Sequence, residues 1–166
     1  DGFTGNITST GILGLQGVVS ALGSGNLTFL GQSTLRSQGG TPLLKNNVFV
    51  DGTLKVQSTT ATFDENITVR AGSTLQVDGT MILNKNLSLE TNAVLVVNGA
   101  LHFGKGGTTG TLNNGLSFNA TRGAFTFNRS DDITYSGNMS GTSNFTKRGE
   151  GTLTITGAIT GTFGNN

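Results

Sequence analysis

The sequence predicts an all-β protein, a parallel β-solenoid of about seven coils, and three observations predict it. First, a segment of about 20 residues recurs. Asn66-Ile67-Thr68-Val69 with Thr74-Leu75-Gln76-Val77-Asp78-Gly79-Thr80-Met81 returns, shifted by 20 and without a gap, as Asn86-Leu87-Ser88-Leu89 with Val94-Leu95-Val96-Val97-Asn98-Gly99-Ala100-Leu101. Second, apolar and polar residues alternate at period two inside each copy, the signature of short strands with one buried face. Third, 27 Gly, 34% hydrophobic and 11% charged residues in a chain of 166 describe material rich in turn formers and poor in the Glu, Lys and Ala that favour helices. A unit this short cannot bury its apolar face alone, so successive units stack coil on coil with like residues in register. A β-sandwich shares the strand content but predicts no such register.

The elements follow in order from the apolar anchors that open each coil: Ile7, Leu27, Val48, Ile67, Leu87, Leu116 and Phe145. The separations are 20, 21, 19 and 20, then 29 and 29. The last two steps are therefore expected to carry insertions, near 104–115 and 128–143. The second strand of each coil is expected to supply two internal ladders, Leu54, Leu75, Leu95, Phe125 and Leu153, then Val56, Val77, Val97, Phe127 and Ile155. Met81, Leu101 and Ile159 form part of a third. Asp51-Gly52, Ala71-Gly72, Asp78-Gly79 and Asn98-Gly99 accept positive φ and turn the chain between strands. With a rise of about 4.8 Å per coil, seven coils make a rod about 34 Å long. Residues 1–166 read as one β-helix segment, and termini without a cap or closing element read as cuts through a longer chain.

Composition also narrows the chemistry. A net charge of +1 without a Lys/Arg run gives no electrostatic footprint for nucleic acid or an acidic membrane. No apolar run approaches the length of a membrane span, so no membrane insertion by this segment is expected. With no Cys and a single His, His102, disulfide scaffolds and thiolate chemistry are excluded, metal sites have few ligands to draw on, and no cofactor is expected. His102 lies between Leu101 and Phe103 and alternates outward. Gly104-Lys105-Gly106-Gly107 lacks phosphate-loop spacing.

The columns of the repeat carry several candidate functional features. Asn6, Asn26, Asn66, Asn86 and Asn144 precede the first strand of their units and begin Asn-x-Ser/Thr, as do Asn119, Asn128 and Asn138. Each is formally a glycosylation acceptor. Because the repeat itself sets five of the eight, a structural column of stacked Asn at one turn is the reading favoured. Thr152-Leu153-Thr154-Ile155-Thr156 resembles an ice-binding hydroxyl array, but its column continues as Lys55, Gln76, Val96 and Thr126, a mixed face. Asp131-Asp132 beside Arg129 and Tyr135 is the local group closest to a polysaccharide-cleaving carboxylate site. It lies in an expected insertion, where charged tips are usually solvated loop, so no enzyme activity is expected. Projecting loops place contact residues for a partner, and Thr108, Thr109, Arg129, Asp131, Asp132 and Tyr135 are the candidates.

Asn144-Phe145-Thr146-Lys147-Arg148-Gly149-Glu150-Gly151-Thr152-Leu153-Thr154-Ile155-Thr156-Gly157 resembles the autotransporter-associated β-strand repeat. Lys147, Gly149, Gly151, Thr152, Leu153, Ile155 and Gly157 fill its positions, and Phe145 replaces a Leu. The run of Gly/Asn/Thr-rich, Cys-free coils resembles an autotransporter passenger over its whole length. That resemblance implies a right-handed β-helix exported to the surface of a Gram-negative bacterium, or secreted from it, and acting in adhesion or self-association. Its partners would be a host-cell surface protein or glycan, or a second passenger. A released toxin or signalling passenger and a polysaccharide-active enzyme are the alternative functions.

Overall fold

The computed structural model describes residues 4–16, 22–112, 118–120, 122–162 and 164–165. Strands in this range pair in parallel and build a three-faced β-solenoid of about seven turns, with no helix among the described residues. One coil shows the construction. Ile67–Val69 lies on the first face, Thr74–Val77 on the second and Thr80–Leu83 on the third. The next coil repeats it as Asn86–Leu89, Val94–Val97 and Ala100–Phe103, with Ile67 on Leu87, Leu75 on Leu95 and Met81 on Leu101.

Alternation along each strand sends every second side chain into the interior, where like residues stack. Leu54, Leu75 and Leu95 form one buried column and Val56, Val77 and Val97 the next, as the repeat predicts. On the third face the interior column runs Ala61, Met81, Leu101, Phe125 and Phe145. Beside it, the Phe103 and Phe127 rings stand 4.7 Å apart and those of Phe127 and Phe145 5.6 Å.

The turn before the first face uses a side chain in place of a ladder bond. The Asn26 amide donates to Asn6 Oδ1 at 3.0 Å, and the Asn86 amide to Asn66 Oδ1 at 3.3 Å. Asn86 Oδ1 in turn accepts from the Thr111 hydroxyl. Further along, Asp132 Oδ1 accepts from the Thr152 amide at 2.6 Å and Asn138 Oδ1 from the Ala158 amide at 2.8 Å. In these four amide contacts the acceptor sits 20 residues before its donor, so the earlier coil supplies the oxygen.

Three expectations need correction. The column that opens the coils passes from Leu87 to Leu112, 25 residues on, while Leu116 lies outside the described residues. Phe145 pairs with Phe125 on the third face, and so Asn144 stacks on Ala124 and leaves the Asn column. Phe125 and Phe127 likewise pair with Leu101 and Phe103, whereas Leu153 and Ile155 pair with Ile133 and Tyr135, and Ile159 pairs with Met139. Finally, 128–143 carries no insertion. It holds the strands Ile133–Tyr135 and Met139–Gly141, and Phe125 to Phe145, Ile133 to Leu153 and Met139 to Ile159 are each 20 residues apart. Among the described residues the extra length lies in 104–110, where the Gly106 amide donates to the Asn128 carbonyl and the Ser130 amide to the Gly107 carbonyl.

The glycines of the 144–157 segment mark where one coil crosses another at contact. Gly149 has φ +75°, and a Cβ there would stand 2.2 Å from the Arg129 carbonyl oxygen; at Gly151 it would stand 1.9 Å from that of Asp131. Both obstacles are backbone atoms rather than flexible side-chain ends, and the Arg129 oxygen also accepts from the Gly151 amide, so neither yields cheaply. Gly151→Ala is therefore expected to lower unfolding free energy by more than about 1 kcal/mol. Gly107→Ala, with open space around it, is expected to change it by less than about 0.5 kcal/mol, and urea unfolding of the two variants checks both.

Candidate functional site

A break in the stack creates the candidate site. The third face is continuous from Leu43–Leu44 through Ala100–Phe103, Ala124–Asn128 and Asn144–Arg148 to Gly164–Asn165. The first-face sheet instead ends at Thr111–Leu112, and a separate two-stranded sheet, Ile133–Tyr135 with Leu153–Ile155, follows. The second face breaks as well, between Val94–Val97 and the sheet of Phe118–Ala120, Met139–Gly141 and Ile159–Gly161.

On the first face a cleft of about 350 Å³ opens at the break. Leu112 lines it from one side and Ile133 and Thr134 from the other. Phe127 and Tyr135 also line it, with ring centroids 6.3 Å apart, and both side chains are almost fully buried. Asn86 and Thr111, joined by their hydrogen bond, add polar groups. None of these side chains carries charge at neutral pH, so the site offers amide, hydroxyl and apolar contacts.

Beside the cleft, Arg129 is 4% exposed and wholly engaged. Its Nε and Nη2 donate to the two carboxylate oxygens of Asp131 at 2.9 and 2.7 Å, a bidentate pair. Nη1 and Nη2 also donate to the carbonyls of Gly110 at 3.1 Å and Thr108 at 2.6 Å. The guanidinium thus fastens the 104–110 segment to the following coil. Its hydrogen bonds hold the Asp131 carboxyl below the usual carboxylate range.

The six residues expected to reach a partner consequently divide. Thr108, Thr109 and Asp132 are exposed, and Asp131 is partly so. Arg129 and Tyr135 are buried and correct the expectation of projecting loop residues, because 128–143 forms an ordinary coil rather than a protruding tip. Tyr135 instead alternates inward on its strand, where burial pushes its phenol up to about 12. His102 is half-buried on the third face, and burial and the nearby Arg148 charge hold its imidazole below the usual range. No group of three or more His, Cys, Asp or Glu that could hold a metal occurs among the described residues. Sequence reasoning missed Leu112, Ile133 and Thr134, because a break between coils leaves no mark in a 20-residue repeat. The lengthened step from Leu87 was the available signal.

Comparison of the chain with family models, curated proteins and solved structures finds no match.

Two outcomes are expected here. Arg129→Ala leaves the Thr108 and Gly110 carbonyls without their donor and is expected to cost about 2 kcal/mol or more in urea unfolding, with faster amide exchange across 104–110. Tyr135 is the sole tyrosine, so phenolate absorbance is expected to titrate near 12 in the folded protein and near 10.0 when unfolded. The raised folded value means that the folded state holds this proton longer. Stability is thus unaffected below the unfolded value and falls as pH rises between the two.

Proposed function

We propose that this chain is a segment of a surface-displayed or secreted bacterial autotransporter passenger that acts by adhesion or self-association. The observation that carries the reading is the set of outward columns running in register along the rod. Thr8, Thr28, Phe49, Thr68 and Ser88 form one on the first face, and Gln32, Thr53, Thr74 and Val94 one on the second. These columns are mainly hydroxyl and amide, interrupted at Phe49 and Val94, and they present such a group at most ladder steps. A partner with a matching repeat gains a small contact per coil, and such contacts add along the rod. The likeness of 144–157 to the autotransporter-associated repeat supports the bacterial assignment. In this segment Lys147 Nζ donates to the Arg148 and Gly149 carbonyls at 2.7 and 3.0 Å, bracing the turn between two strands.

Sedimentation over a wide concentration range, paired with binding to host cells, tests the proposal. Self-association appears as a mass that rises with concentration. Thr28→Lys with Thr68→Lys is then expected to weaken it about ten-fold at low salt, with recovery at high salt, because like charges would face each other across the contact. Saturable cell binding by a monomer supports adhesion to a host surface instead. A monomer without cell binding overturns the proposal.

A further inference from the structure

The first-face cleft is bounded by two strand edges whose main-chain groups point into it. In a parallel ladder the N–H and C=O of one residue point to the same neighbour, and those of the next residue point to the opposite one. The Thr111 amide donates to the Lys85 carbonyl, toward the preceding coil. Leu112 therefore turns its N–H and C=O the other way, toward the break. The Ile133 amide donates to the Thr152 carbonyl and the Tyr135 carbonyl accepts from the Thr156 amide, both toward the following coil. Thr134 consequently directs its N–H and C=O back toward Leu112. No described strand pairs with either of these edges.

From this geometry we infer that the cleft is a β-augmentation site, which takes an extended, uncharged segment of another polypeptide between the Leu112 and Thr134 edges. Facing donors and acceptors on both sides match the main chain of a strand, which supplies binding free energy independent of sequence. Selectivity comes from the lining. An apolar side chain of the incoming strand would enter among Phe127, Ile133 and Tyr135, while Asn86 and Thr111 leave no fixed charge to pair with an ionised one. Charged segments are therefore rejected through the desolvation of an unpaired charge. The inference goes beyond the adhesion reading and does not depend on where the rod is displayed.

The protein carries its own reporter, because its single tyrosine lines the cleft and it has no tryptophan. Titration with a capped pentapeptide of alternating threonine and leucine, itself free of aromatic groups, is expected to change Tyr135 emission saturably. The same peptide N-methylated at alternate residues loses its main-chain donors and is expected to bind about ten-fold more weakly. Thr134→Pro removes the N–H that faces the cleft while leaving the bonds to Leu153–Ile155 in place, since those are made by Ile133 and Tyr135. It is expected to weaken binding by a similar factor, whereas Thr134→Ala retains the N–H and is expected to bind as the parent does. Absence of a saturable change, or equal binding of the plain and N-methylated peptides to the unsubstituted protein, overturns the inference. The peptide comparison does not depend on the proline variant folding.

Discussion

Every coil must present its main-chain N–H and C=O groups to the coils before and after it at strand spacing, and the rest of the structure follows from that requirement. The demand is easily met where strands are straight. At corners, where the chain changes face, the ladder cannot continue in the same direction and other acceptors take over. Asn6, Asn66 and Asp132 provide side-chain oxygens at the turn before the first face, and Asn138 one at the turn before the second. At another turn the Val56 carbonyl accepts from both the Asp78 and Gly79 amides, and the Val77 carbonyl from both Asn98 and Gly99. The abundance of Asn and Gly is thus a consequence of turning a ladder through three faces, and no side-chain N or O atom among the described residues is buried without a hydrogen-bond partner.

How much of this could be read from the residues depends on where the coils keep one length. From Ile67 to Leu101 the first- and second-face strands and their partners follow from the repeat alone, as does the stacking of Met81 on Leu101. Beyond Gly104 the phase is ambiguous. Ile67 to Leu75, from first face to second, and Phe145 to Leu153, from third face to first, are both eight residues. A three-faced coil with similar steps at two corners can thus be laid over itself one face out of phase while preserving every apolar position. That is why Phe125 and Phe145 were expected on the wrong faces and an insertion was expected in 128–143. Only pairing between coils distinguishes the two phases, and that is a long-range property.

The candidate site was less legible for a related reason. Charged residues draw attention in a chain with so few, yet Arg129 and Asp131 neutralise each other and secure the 104–110 segment. Burying a guanidinium is costly unless its donors are satisfied, and here the carboxylate and two carbonyls satisfy it. The cleft is instead made of unremarkable residues, Leu112 and Thr134 among them, whose significance comes from main-chain direction rather than side-chain type. A propensity argument has no access to such groups.

The break also has a mechanical side. Across it the third face remains stitched by the ladders from Ala100–Phe103 through Ala124–Asn128 to Asn144–Arg148, while no described strand pair continues the ladder on the other two faces. A stack fastened along one edge and parted along two behaves as a hinge, with the fastened edge as its axis. The coils on either side can swing about the phenylalanine-lined spine with the least loss of hydrogen bonds, whereas bending in any other plane would shear intact ladders. Among the described ladders, compliance is therefore concentrated at this level and in this direction.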